Sequence, residues 1–140
     1  MRRSRSEVMG PCGNGGGTYP LFPLGPRLVS REQWSKVAAG GFDGMMAVKV
    51  DGTLWGWGSD FYGQLGDGEP AAGIARIPVQ IGSELWRHVD VGSTHTVAIQ
   101  QDGSLWAWGR NSAGELGDGT TVQRAAPVLI SSDQWSEVIA

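Results

Sequence analysis

One stretch of this sequence occurs twice, and this repeat constrains the fold more than any other feature. The first copy, DGTLWGWGSDFYGQLGDG, runs from Asp51 to Gly68, and the second, DGSLWAWGRNSAGELGDG, runs from Asp102 to Gly119. The tryptophans and most of the glycines recur, whereas many positions between them differ. A repeat of about 50 residues indicates an array of similar structural units that stack on one another.

A second recurring pattern sets the limits of the repeats. A tryptophan followed three positions later by a valine occurs, each time shortly after a proline, at Trp34, Trp86 and Trp135. The chain is therefore predicted to contain five segments: a flexible glycine-rich stretch (1–16), the tail of a preceding repeat (17–33), two full repeats (34–85 and 86–134) and the start of a further repeat (135–140).

Each repeat is predicted to contain a β-hairpin around its Asp-Gly pair. Asp-Gly is a preferred pair for a two-residue type I′ turn, in which both central residues need a positive φ. A turn at Asp51-Gly52 places Val48 opposite Trp55 and Met46 opposite Trp57. The second copy is paired in the same way, Ile99 with Trp106 and Val97 with Trp108. Because the other side of the hairpin is also apolar or small, we expect a sheet that is buried on both faces.

The remaining segments complete four strands per repeat. A short strand at Trp34–Ala38 precedes the hairpin, a long loop runs from Ser59 to about Ile77, and a strand begins at Pro78 and ends near Ile81. Four short strands per roughly 50 residues are typical of a β-propeller blade. The chain is therefore predicted to be all-β, with two full blades of an incomplete ring. The tryptophans are expected to fill the space between blades as the repeat core: Trp34, Trp55, Trp57, Trp86, Trp106, Trp108 and Trp135.

The repeated stretches resemble a known repeat family. LWGWGSDFYGQLGDG and HTVAIQQDGSLWAWGRNSAGELGDGT are similar to the repeat of the regulator of chromosome condensation family, and the resemblance covers about residues 26–140. It is closer to bacterial than to eukaryotic members. The resemblance implies a seven-bladed β-propeller, which two full repeats cannot close. The chain is then either a fragment or truncated reading frame, or one of several copies that assemble, and uncovered blade edges predict self-association.

Composition and charge argue against several classes of function. The net charge is −3, and the one basic cluster lies at the N-terminus, so we expect no nucleic-acid partner. No apolar run is long enough for a transmembrane helix, and no signal peptide is evident, which leaves the localisation unassigned. The single cysteine, Cys12, is incompatible with an internal disulfide or a multi-cysteine metal site.

The sequence offers no convincing catalytic, metal or cofactor site. His95 stands where the other copy has Gly44, so we expect a structural role, and His88 is expected at a strand edge or surface. Asp67 and Asp118 precede glycines and are predicted to form turns, because neither loop has the ligand pattern of a calcium-binding loop. We therefore expect that the chain is not an enzyme.

Candidate binding residues are those at which the two copies differ. Phe61 and Tyr62 stand where the second copy has Ser112 and Ala113, and two further candidates are Phe42 and Arg110. Aromatic loop residues are typical anchors of protein contacts, although local packing over the blade end is the alternative. The resemblance implies binding of an unidentified protein through loops at the propeller rim. A carbohydrate-binding, lectin-like propeller is the second hypothesis.

Overall fold

The computed structural model describes residues 33–69 and 73–140, which belong to one compact unit, Glu32–Ala140. The predicted flexible stretch 1–16, with Cys12, and residues 17–32 of the predicted preceding repeat lie outside the described residues. No described helix has the length and apolar character that crossing a lipid bilayer requires.

Two four-stranded antiparallel sheets make up this unit. In each sheet, strands that follow one another in sequence are hydrogen-bonded neighbours. The first sheet consists of β1 (Trp34–Ala39), β2 (Met45–Lys49), β3 (Leu54–Ser59) and β4 (Ile74–Gln80), and the second of β5 (Trp86–Val91), β6 (His95–Gln100), β7 (Leu105–Gly109) and β8 (Arg124–Ser131). A 3₁₀ turn, Gly41–Asp43, lies between β1 and β2. The predicted all-β fold, with blades that do not close a ring, is confirmed.

The predicted hairpin register is wrong by one residue in both sheets. β2 and β3 place Ala47 opposite Trp55 and Met45 opposite Trp57. The second sheet repeats this register, with Ala98 opposite Trp106 and Thr96 opposite Trp108. These pairs replace the predicted ones, Val48–Trp55, Met46–Trp57, Ile99–Trp106 and Val97–Trp108. Since a slip of one residue moves a side chain to the other face, the tryptophans share a face with Met45 and Ala47 in the first sheet and with Thr96 and Ala98 in the second.

The slip arises because the turn has three residues inside its closing pair instead of two. Lys49 N donates to Thr53 O at 2.9 Å, and within the turn only Gly52 has a positive φ, of 90°. Asp51 Oδ1 accepts hydrogen bonds from Thr53 N at 2.9 Å and from the Thr53 hydroxyl at 2.6 Å. This is the three-residue hairpin loop with glycine in the left-handed region, stabilised by an aspartate side chain.

The fourth strand of the first sheet begins earlier than predicted. β4 starts at Ile74 rather than at Pro78, so the loop after β3 is shorter than the predicted loop. Pro78 lies inside the strand, where the pairing with β3 shifts register between Gly56 and Gly58. Because β4 is an edge strand, a proline at this irregularity is tolerated without the loss of a ladder hydrogen bond.

The tryptophans differ in burial. Trp86 and Trp108 are fully buried, with ring centroids 5.7 Å apart, and the corresponding pair in the first sheet, Trp34 and Trp57, is only half-buried at 5.8 Å. Two more are half-buried, Trp55 and Trp106, and Trp135 is 38% exposed. Complete burial therefore occurs on the face of the second sheet that meets the first.

A loop of the first sheet connects the two sheets, and we call Gly63–Gly66 the junction loop. Gln64 O accepts hydrogen bonds from Trp108 Nε1 at 2.9 Å and from Thr96 Oγ1 at 2.7 Å. Gly66 has a φ of 80°, and a Cβ at this position would lie 2.5 Å from Trp108 Nε1. The indole therefore packs against a backbone that only glycine provides, which explains why this tryptophan and this glycine recur together.

Candidate functional site

Four loops meet at one end of the two sheets, and we call this end the rim. It comprises residues 40–44 and 60–64 of the first sheet and residues 92–94 and 110–115 of the second. Asp43 O packs against Gly58, just before the second of these loops, and Arg110 N donates to Thr94 O at 2.9 Å. Gly40 contacts Gly92 across the two sheets. The candidate binding residues predicted from the sequence all lie on the rim: Phe42, Phe61, Tyr62 and Arg110.

The β1–β2 loop presents Phe42 on a strained backbone. Phe42 has a φ of 56° and Asp43 a φ of 60°, values that favour glycine, and in the described ranges no other non-glycine residue has a positive φ. The loop spans 40–44, whereas its counterpart spans only 92–94. Such a conformation costs about 1–3 kcal/mol, yet the Phe42 side chain is 66% exposed. The strain is therefore not offset by burial of the ring.

The loop after β3 adds aromatic groups from the first sheet beside a cation from the second. Phe61 is 60% exposed, and Tyr62 is half-buried. Arg110 Cζ lies 5.5 Å from the centroid of the Tyr62 ring, at cation–π distance, and Arg110 Nε lies 3.8 Å from Glu115 Oε1. The structure thus brings Tyr62 and Arg110 together, whereas among the described residues no ring contact links them to Phe42.

A buried polar network holds the loop that carries Tyr62. Asp60 is 3% exposed, and its Oδ1 accepts a hydrogen bond from Leu65 N at 3.0 Å. Gln64 Oε1 accepts one from Tyr62 N at 2.8 Å, and Gln64 Nε2 donates to Ser59 Oγ at 3.2 Å. Burial raises the pKa of Asp60 above its usual value, and the hydrogen bond from Leu65 N opposes this effect. The rim loop and the junction loop thus share Gln64 as a support.

In the second sheet, Asn111 stands at the position of Asp60. Asn111 Oδ1 accepts a hydrogen bond from Leu116 N at 3.1 Å, and Nδ2 donates to Asp118 Oδ1 at 3.0 Å. Asp118 also accepts hydrogen bonds from the Thr120 hydroxyl at 2.8 Å and from Arg124 Nε at 3.1 Å. These bonds, chiefly those from Thr120, hold the pKa of Asp118 well below its usual range. Asp118 therefore orders its loop as a charged acceptor.

The remaining candidates for chemistry contact backbone. His88 Nε2 lies 3.0 Å from Val138 O, and the ring of His95 packs against Gly92. Within residues 33–69 and 73–140, no three His, Cys, Asp or Glu side chains are grouped so that they could hold a metal ion.

Sequence reasoning did not identify the buried amides Gln64 and Asn111 that organise the rim loops. Both side chains are almost completely buried, at 2% and 0% exposed. For Asn111 the sequence does offer a signal in its position, because Asp60 and Asn111 are equivalent small polar residues that follow the third strand of each repeat. Such residues commonly accept hydrogen bonds from nearby backbone in loops.

Two sequence models of the regulator of chromosome condensation (RCC1) repeat match this chain. One matches residues 51–99 and 102–140, and the other matches residues 34–64 and 86–115. The first match begins in the hairpin turn and extends into the following sheet, so its unit spans parts of two sheets. The second begins at the first strand of a sheet and stays within that sheet and its rim loop.

Relatives of known name match most of the chain. The Ultraviolet-B receptor UVR8 of Arabidopsis thaliana is 32% identical over 124 residues, which are 88% of this chain and 28% of the receptor. The E3 ubiquitin-protein ligase HERC2 of Homo sapiens is 33% identical over 132 residues, 86% of this chain and 3% of the ligase. The chain thus spans less than a third of the length of either relative.

A solved structure supports the same architecture. Prp20p from Saccharomyces cerevisiae matches with a TM-score of 0.67 at 21% sequence identity, over 75% of this chain and 27% of that chain. At this identity the similarity concerns the fold, in which antiparallel four-stranded sheets stack as blades.

Proposed function

The chain belongs to the regulator of chromosome condensation (RCC1) repeat family, and from this premise we propose that it is a non-catalytic module whose rim loops bind a partner protein. The observation that carries this proposal is the exposed Phe42 ring on a backbone that favours glycine. Local strain of this kind is concentrated at functional sites, because folding alone does not reward it.

The relatives are consistent with a role in protein interaction. The structure of Prp20p is described together with its binding properties to Gsp1p and histones, which are proteins. The match to the HERC2 ligase covers only 3% of that enzyme, so its repeat region gives no reason to assign ligase activity to this chain.

The chemistry of the rim defines the kind of partner surface that it would fit. Phe42 and Phe61 are exposed aromatic anchors, which contribute most when they enter apolar pockets of a partner. Arg110 stacks on Tyr62 and keeps guanidinium donors for a carboxylate of the partner. We therefore expect a partner surface with apolar pockets next to an acidic group.

Crosslinking with the full chain as bait tests the proposal. A photocrosslinking residue at position 42 or 61 is expected to capture the same protein, and Phe61→Ala is expected to abolish this capture from position 42. Val50→Ala is the matched control, since Val50 is 65% exposed but lies in the hairpin turn at the opposite end of β2. Equal capture by the Phe61→Ala and Val50→Ala variants would exclude the rim as the binding surface.

A Phe42→Gly variant separates binding from stability. Glycine adopts the left-handed conformation without strain. The free energy of unfolding of this variant is therefore expected to be about 1 kcal/mol higher than that of the wild type, while binding of the partner is lost. A loss of stability would instead identify Phe42 as a packing residue. Wild-type binding to a glycan array that disappears in Phe61→Ala, without capture of a protein, would favour the carbohydrate-binding alternative.

A further inference from the structure

The first sheet presents a face that has the side chains of the inter-sheet junction but not their burial. At the junction the second sheet buries three apolar residues, 0–1% exposed: Trp86, Val89 and Trp108. The residues at the same positions of the first sheet are Trp34, Val37 and Trp57. Val37 is 51% exposed and both tryptophans are only half-buried. We call this surface the leading face.

The second sheet presents the complementary surface. In the junction loop, a Cβ on Gly63 would lie 2.8 Å from Ala125 Cα, and a Cβ on Gly66 would meet the Trp108 ring. The counterpart loop, Gly114–Gly117, has the same left-handed glycines, with φ values of 76° and 70°. No described atom lies within 4 Å of a Cβ placed on either of these glycines. The counterpart loop therefore has the shape of the junction loop, but no described residue packs on its glycines.

The two surfaces also differ from the internal junction by a matched pair of charges. Glu115 stands in the counterpart loop where the junction loop has Gln64. On the leading face, Arg76 stands at the strand position of Ala125, because Ala75 pairs with Gly58 as Arg124 pairs with Gly109. The Glu115 carboxylate accepts a hydrogen bond from Ala113 N and lies 3.8 Å from Arg110 Nε, so within its own loop it already has partners. A contact between the counterpart loop and the leading face would add Arg76 as a second cation near Glu115, where the internal junction has neutral residues.

We propose that the counterpart loop of one copy docks on the leading face of a second copy and repeats the internal junction between chains. Trp57 Nε1, which has no hydrogen bond to a described residue, would donate to the backbone carbonyl of Glu115 as Trp108 donates to Gln64. The interface is heterologous, because each copy contributes a loop on one side and a face on the other. Met45 stands at the position of Thr96, so this contact lacks one hydrogen bond of the internal junction.

Residues 134–140 hold the place on the second sheet that β1 of the docked copy would take. Their sequence, QWSEVIA, closely repeats QWSKVAA at 33–39. Trp135 N donates to Gly103 O at 3.0 Å as Trp86 N donates to Gly52 O, and Ala140 N donates to Asp90 Oδ2 at 2.7 Å. This segment, which we call the cap, must therefore be displaced for docking and opposes self-association.

Sedimentation velocity of the full chain tests the interface. The wild type is expected to show reversible association that strengthens with concentration and weakens with salt. Gly117→Asn, which retains a residue tolerant of positive φ but adds bulk at the contact, is expected to weaken association about tenfold or more. Gly119→Asn is the matched control, because Gly119 also has a positive φ and its counterpart Gly68 has open space around its Cβ within the described residues.

Mixing two variants identifies the geometry. Arg76→Glu weakens the leading face, and Gly117→Asn weakens the loop, so each variant alone is expected to be monomeric at concentrations at which the wild type associates. Their mixture still contains one intact loop and one intact face, and it is expected to form a one-to-one dimer that grows no further. A chain that lacks the cap is expected to associate about tenfold more tightly.

Three results would overturn the proposal: a wild type and a cap-less chain that are both monomeric throughout, association that Gly117→Asn and Gly119→Asn affect equally, or no dimer in the mixture. The residues substituted in these tests, Arg76, Gly117 and Gly119, lie outside the rim, so these outcomes leave the proposed function untouched.

Discussion

Substitution of Gly66 by alanine gives the sharpest test of how the two sheets are joined. The new methyl group would lie 2.5–2.8 Å from three atoms of the Trp108 ring, which is itself fully buried. The ring has little freedom to move, because its Nε1 is hydrogen-bonded to Gln64 O at 2.9 Å. Gly66→Ala therefore forces either the junction loop or the second sheet to shift.

The magnitude follows from two contributions. Alanine in the left-handed region costs about 1–2 kcal/mol, and overpacking of a close-packed contact adds about 1–3 kcal/mol. The total loss in the free energy of unfolding is about 2–5 kcal/mol on these grounds. Gly117→Ala is the matched control, because its φ of 70° imposes the same backbone strain while its Cβ meets no described atom within 4 Å. We expect this control to lose only the strain contribution.

The assay is urea denaturation followed by tryptophan fluorescence, at a protein concentration at which the chain is monomeric. The difference between the two variants isolates the contact between the loop and the indole ring, since the backbone term is common to both. Equal losses for Gly66→Ala and Gly117→Ala would refute the junction described above.

Two further substitutions test the polar contacts. Asp60→Asn is expected to stabilise the protein by about 1 kcal/mol near neutral pH, because an amide avoids the cost of burying a charge and Asn111 already fills the equivalent position. Burial raises the folded-state pKa of Asp60, so its charge destabilises the fold above that pKa. The stabilisation of the variant over the wild type should therefore vanish as the pH falls below the unfolded-state pKa of about 3.9. Denaturation across pH measures this difference, and a difference that persists unchanged in acid would contradict the reasoning. Thr96→Val is expected to cost about 1 kcal/mol through loss of the hydrogen bond to Gln64 O, whereas the exposed control Thr121→Val should be neutral in the same assay.

The spacing of the repeats was sufficient to predict the strand content, but not the register of the hairpins. Asp-Gly suits both a two-residue and a three-residue turn, and the deciding contact is the one from Thr53 to Asp51 Oδ1. Because β2 buries Met46, Ala47 and Val48 in succession, the hydrophobic pattern is equally compatible with either register. Register is well specified by sequence only where one face of a strand is polar. The sequence does contain a signal for the three-residue turn, because Thr53 recurs as Ser104 and both hydroxyl residues bond the turn aspartate.

The rim was predicted from the opposite property, namely divergence between the copies. Phe42 and Phe61 differ from their counterparts, and both are exposed in the structure. Their backbone conformation could not be inferred, because a phenylalanine with positive φ contradicts local preference. The contact of Arg110 with Tyr62 was also inaccessible, since it joins two sheets through loops of irregular path.

The pattern of shared and divergent positions follows from which atoms make the junction. The backbone carbonyl of Gln64 accepts the hydrogen bonds from Trp108 and Thr96, so the contact between the sheets does not fix which side chain stands at this position. Glycine is required at Gly66 because the indole lies against the backbone itself. Tryptophan and glycine therefore cannot vary without loss of the junction, whereas Gln64 can become Glu115 and change the charge of the loop. A repeat built in this way keeps its stacking surface constant while the polar side chains beside that surface can vary.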